Sequence, residues 1–185
     1  MKKTSSIIMV TGQTEESGAA TFTEESVNLQ LNALDREVFV VTDMILTCPP
    51  QPIHVPLATD ASGNYRNAVT AVVSSTSATS VDVNSPNVLG WTKSETNMAV
   101  LRYGPNADDI APLGVYESVT GYQTGAVDGE QNPLGIIATP DFFVRLVSGG
   151  PSPSAGKANW RIYGYRAQAD AATYAALVQS EVLSE

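Results

Sequence analysis

The chain has 185 residues, 43% hydrophobic and 16% charged, with 10 Lys plus Arg against 19 Asp plus Glu and a formal net charge of −9. This length and apolar content suit a single globular domain over residues 1–185 and exclude a disordered chain. The acidic balance repels phosphate and excludes strong direct nucleic-acid binding.

In chain order, residues 1–18 read as an N-terminal arm or edge strand, with Ser6–Thr11 as the strand candidate. The start "MKKTSSIIMV" has the lysines of a secretory signal, but its apolar run Ile7–Val10 is far shorter than such a signal needs. No window approaches a transmembrane span, so a soluble chain made in a cytosol is expected. After a weak strand candidate at Ala20–Thr23, "SVNLQLN" places Val27, Leu29 and Leu31 on one face and Asn28, Gln30 and Asn32 on the other. "LDRE" turns the chain into "EVFVVTDMILT", β-branched on both faces and long enough for a central strand. The prolines of "CPPQPIHVP" then forbid one.

Further strands are expected at Arg66–Ser74, Thr96–Tyr103, Val115–Tyr122, Phe142–Val147 and Asn159–Arg166, with weaker ones at Ser80–Val83 and Leu134–Ala138. Turn clusters lie at Asp60–Asn64 and Asp128–Pro133, and "SGGPSPSAGKA" reads as a flexible loop. Short alternating strands with such punctuation indicate an all-β fold, an antiparallel two-sheet sandwich, most simply a jelly roll. Its expected core comprises Val27, Leu29, Leu31, Phe39, Val41, Ile45, Val100, Phe143, Leu146, Trp160 and Ile162. Asn28 and Gln30 should stay wet.

The period changes at the C-terminus, where residues 170–183 read as one α-helix. Asp170 can cap it, and Ala171, Tyr174, Ala175, Val178 and Val182 form an apolar stripe, with Thr173, Ser180 and Glu181 away from it. So short a helix needs a docking surface. That surface is either its own sheet or a neighbouring subunit.

No catalytic, cofactor or metal residues are assigned. The single Cys48 excludes an intrachain disulfide and reads as a buried or half-buried thiol at a strand end. The one histidine, His54, lies in the proline loop without triad geometry, and no nucleophile elbow, zinc helix or phosphate loop occurs. The two "TEES" segments (Glu15, Glu16, Glu24, Glu25) read as solvated charge. Asp108 and Asp109 lack the regular spacing of a calcium loop. Trp160 with Ile162 should point inward, and Tyr163 with Tyr165 onto the opposite face, where tyrosine serves interfaces and sugar sites alike. The residues singled out for assembly are Tyr163, Tyr165, Tyr174, Val178 and Val182.

The polar N-terminal arm, the long strand "REVFVVTDMIL", the Pro- and Gly-rich loops and a final hairpin "DFFVRLVSGG…ANWRIYGYRA" together resemble a single jelly-roll capsid protein of small icosahedral viruses. The resemblance is one of pattern over most of the chain and has no diagnostic motif. It implies a non-enzymatic virion shell subunit whose main partner is itself, in many copies, without cofactors. Many such proteins carry an Arg-rich arm and this chain does not, so genome contact would fall to a second coat protein, an internal membrane or scattered arginines. A carbohydrate- or receptor-binding sandwich, such as a fibre head, adhesin or decoration protein, is the alternative, and a paired-acid hydrolase ranks last.

Overall fold

The computed structural model describes residues 1–49, 65–102, 110–122, 132–149 and 155–183. They form β1 (Lys2–Lys3), β2 (Ile8–Glu15), β3 (Thr23–Asn28), β4 (Glu37–Thr47), β5 (Tyr65–Ser74), β6 (Val88–Arg102), β7 (Ile110–Tyr122), β8 (Gly135–Ile137), β9 (Asp141–Gly149), β10 (Lys157–Gln168) and the helix α1 (Ala171–Leu183). His54, Asp108, Asp109, Tyr103 and the turn at Asp60–Asn64 lie outside the described residues, as does most of the Asp128–Pro133 cluster.

The pairings are antiparallel and nested: β2 with β10, β3 with β9, β4 with β8, and β5 with β6. A chain doubled back into one long ribbon and then rolled up produces this pattern. Rolling adds the lateral pairings β10–β4 and β9–β5. Two sheets result, β2–β10–β4–β8 and β3–β9–β5–β6, the strand order of a jelly roll. β1 extends the β2 edge along β10, and β7 widens the second sheet beside β6. The expected fold class is therefore found: an all-β antiparallel two-sheet sandwich with one C-terminal helix. The expected final hairpin is not. β9 and β10 lie in different sheets, each paired with strands from earlier in the chain. Alternation identifies a strand, but it does not identify the neighbour.

The core fills the space between the sheets. Phe39, Val41, Met44, Leu46, Trp160 and Ile162 come from the first sheet, and Val69, Ala71, Val73, Phe142, Val144 and Leu146 from the second. Phe142 meets Trp160 edge-on across the sandwich, with ring centroids 5.5 Å apart; such a pair adds about 0.5–1.5 kcal/mol beyond area burial. The Trp160 indole donates to Thr14 Oγ1 (3.1 Å), which donates to Glu25 in the opposite sheet (2.5 Å). Cys48 is buried, and that burial pushes its thiol up to about 12.

Leu29 is buried, Val27 and Leu31 are partly buried against the core, and Asn28 and Gln30 are exposed as expected. Several strand boundaries differ from those expected: β2 runs on to Glu15, β6 begins already at Val88 and β7 at Ile110. β3 stops at Asn28, because Asn28 Oδ1 accepts from Gln30 N–H (2.8 Å) and Gln30 takes a left-handed φ of 54°. Ser80–Val83 forms no strand, and only Thr23 of Ala20–Thr23 lies in one.

Two expected core positions face outward. Ile45 is 41% exposed because Thr42 is an extra residue on β4: Tyr163 pairs with Asp43 and Gly164 with Val41. This bulge flips the parity of β4, so that Phe39 and Val41 point inward before it and Met44 and Leu46 after it. Phe143 is only half-buried, since Phe142, Val144 and Leu146 take the inner face of β9. Nothing is described for the Val100 side chain.

Buried carboxylates overturn the reading of the "TEES" segments as solvated charge. Glu16 is buried and accepts from Ser148 N–H (2.5 Å), Ser148 Oγ (2.6 Å) and Gly156 N–H (2.6 Å). Those bonds compensate its desolvation and tie the end of β2 to the second sheet. Glu24 pairs with Arg145, which is 1% exposed. Glu15 does stay at the surface, opposite Lys157.

Candidate assembly surface

The outer face of the first sheet is divided at the Thr42 bulge. On one side Val38 and Val40 of β4, Ala167 of β10 and Ala138 beside β8 form a buried apolar cluster. Tyr165, Tyr174, Leu177 and Val178 pack against it. The helix therefore docks on its own subunit's sheet. Asp170 caps it, accepting from Thr173 N–H (2.9 Å) and Thr173 Oγ1 (2.7 Å), and these bonds hold its carboxyl below the usual range.

The docked face is not the expected stripe. Thr173, Tyr174, Leu177, Val178 and Glu181 turn inward, while Ala171, Ala175 and Val182 are exposed. At 3.6 residues per turn this is a rotation of about a quarter turn. The cause is Glu181, which was expected to point away. Its carboxylate accepts from Ala138 N–H (3.1 Å) and Thr139 N–H (2.9 Å), where the chain leaves the edge strand β8. Two backbone donors at a sheet edge need acceptors, and meeting them fixes the helix phase. Burial raises the Glu181 carboxyl above its ordinary value, and the bonds from Ala138 and Thr139 oppose that shift.

Beyond the bulge no described residue covers the outer face. Its cross-strand rows are Met9–Tyr163–Asp43, Thr11–Arg161–Ile45 and Gln13–Asn159–Thr47. Met9 is 53% exposed, Tyr163 half-buried and Arg161 exposed. Between the rows a shallow hollow of about 430 Å³ is lined by Thr11, Ile45, Thr47, Asn159 and Arg161. Arg161 and Asp43 have no ion-pair partner among the described residues; Asp43 accepts only from its neighbour Met44 N–H (2.7 Å). Met, Tyr and Arg around a small apolar centre are the residue types enriched at protein interfaces.

Of the five assembly candidates, Tyr165, Tyr174 and Val178 thus meet in one intrachain cluster. Lys3 Nζ sits 4.5 Å from the Tyr165 ring centroid. Tyr163 lies on the bare half, and Val182 stands exposed near the end of the helix. Sequence reasoning missed Met9, Asp43 and Arg161, which only register brings side by side. Among the described residues no three of His, Cys, Asp and Glu gather to hold a metal ion, and no helix is long and apolar enough to cross a membrane.

Neither a family model nor a curated protein matches this sequence. One solved structure, the tailspike protein of Acinetobacter baumannii phage AM24, is 14% identical over 86% of this chain and 27% of its own, with a TM-score of 0.17. A likeness that slight bears on neither fold nor function.

Proposed function

We propose that the protein is a structural subunit of a virion shell, non-catalytic, assembling with many copies of itself. The observation that carries this reading is the bare half of the first sheet's outer face. It is mixed rather than greasy, is built on sheet, and bears Arg161 and Asp43 on adjacent strands, neither of them ion-paired among the described residues. Around a two-fold axis such a face is self-complementary, each Arg161 meeting the other copy's Asp43. The sparse charge of the rest of the chain costs little desolvation when repeated contacts cover it. With a net charge of −9, genome contact falls to another component, such as a second coat protein.

Light scattering and negative-stain microscopy test the reading. The wild type should form large particles or discrete oligomers, Arg161→Asp and Asp43→Arg should each disperse them, and the double exchange should restore them. A wild type that stays monomeric under all native conditions overturns self-assembly. Assembly indifferent to the single exchanges overturns this face as its site.

A further inference from the structure

A second surface, on the opposite sheet, has the makings of a ligand site. The β5–β6 connection, residues 75–87, folds over the outer face of the second sheet and is held there from below by Arg145 of β9. Arg145 Nε donates to Glu24 Oε2 (3.0 Å), and its Nη2 donates to Ser74 Oγ (3.0 Å) and to the Thr76 carbonyl. Glu24 in turn accepts from Ser77 Oγ (2.6 Å) and Ala78 N–H (2.9 Å). This clamp fixes the loop and uses most of the guanidinium. Nη1 has no partner among the described residues, and Arg145 lines the floor of an open hollow of about 470 Å³ whose rim residues Thr79, Ser80 and Asp82 are exposed.

The other cavity walls also keep unused hydrogen-bonding capacity. Thr79, Ser80 and Ser85 line it, and their hydroxyls bond to nothing among the described residues. Asp82 Oδ1 accepts from Asn84 N–H (2.9 Å), and Oδ2 has no partner among the described residues. The site therefore offers a charged donor, three hydroxyls that can donate or accept, and a carboxylate acceptor. Its volume falls within the range of about 300–1,000 Å³ typical of small-ligand pockets.

Charge narrows the ligand class. Glu24 neutralises Arg145, and Asp82 leaves the wall net negative, so phosphate, sulfate and carboxylate ligands are repelled. One free carboxylate is too few for a cation, and a hydroxyl lining wastes an apolar ligand. We propose that this cavity binds a neutral, polyhydroxylated ligand, a glycan residue, with Arg145 Nη1 and Asp82 as its fixed donor and acceptor. The site is independent of the assembly surface, being on the other sheet.

The test is saturation-transfer NMR on the full chain with D-glucose, D-galactose, D-mannose and N-acetyl-D-glucosamine, using sulfate in thermal-shift assays as the anionic counter-probe. Transfer to at least one sugar is expected. Asp82→Ala, and separately Ser80→Ala, should weaken it about tenfold, the loss of one hydrogen bond to a charged group in the former case. Both residues lie outside the Arg145 clamp, and an unchanged circular dichroism spectrum checks that each variant folds. No transfer to any of the four sugars at millimolar concentration, stabilisation by sulfate alone, or transfer indifferent to both substitutions overturns the proposal.

Discussion

The phase of the helix can be tested by two substitutions that the sequence pattern and the structure rank in opposite order. The apolar stripe read from sequence includes Val182 and omits Leu177; the docked face includes Leu177 and leaves Val182 57% exposed. Leu177→Ala removes three carbons that are about half-buried, and at about 0.8 kcal/mol per buried CH₂ the cost is about 1 kcal/mol. Val182→Ala removes exposed carbons and replaces a β-branched residue with the best helix former, so it should be neutral or stabilising by a few tenths of a kcal/mol. Urea denaturation followed by circular dichroism measures both, and for a chain of this size 1 kcal/mol corresponds to a Tm shift of about 2–4 °C. A Val182→Ala loss equal to or larger than that of Leu177→Ala would refute the docked phase.

Gly164→Ala should destabilise by about 1–3 kcal/mol or more, because the new Cβ would lie 2.4 Å from the Val40 carbonyl oxygen and 2.7 Å from the Phe39 ring; thermal melts check this, and a neutral result would mean that the close approach does not exist. Glu181 gives a pH signature. Its carboxyl is raised in the folded state from an ordinary 4.5, so the stability it contributes is full below 4.5 and is lost as pH rises through the raised value. The stability of wild type minus that of Glu181→Gln should accordingly grow as pH is lowered from about 7.5 toward 4.5; a difference that is flat or shrinks contradicts the buried carboxylate.

Much of the fold is legible in the sequence because its strands are half-buried. Val27/Leu29 against Asn28/Gln30, and Trp160/Ile162 against Tyr163, give their faces directly. Cys48 beside the prolines and Asp170 before the helix are likewise local signals. What escaped is non-local. Glu16 reads as surface charge until Ser148, 132 positions away, supplies its donors. Arg145 sits unremarked inside "DFFVRLVS", and only the strand order shows that it lies under a loop and beside Glu24. The helix phase is not legible in the sequence because its alanines mark no side, and the deciding contact is polar, to the backbone at the end of β8.

The Thr42 bulge links these failures to the surface that assembly would use. Were β4 to alternate without interruption from Val41, Met44 and Leu46 would point outward and Ile45 inward. The outer row of β4 would then be Val38, Val40, Thr42, Met44 and Leu46, apolar but for one threonine, and its Met44–Leu46 end, which the helix does not reach, would be an aggregation hazard before the subunit met a partner. With the extra residue, the apolar half is confined to Val38 and Val40, and the helix covers it within the subunit. The half left bare carries Asp43, Ile45 and Thr47 beside Arg161 and Tyr163. Each contact on such a face is weak alone, and its charges select orientation. A single inserted residue thus divides one sheet face into a part closed by its own chain and a part suited to repeated, geometry-specific contact.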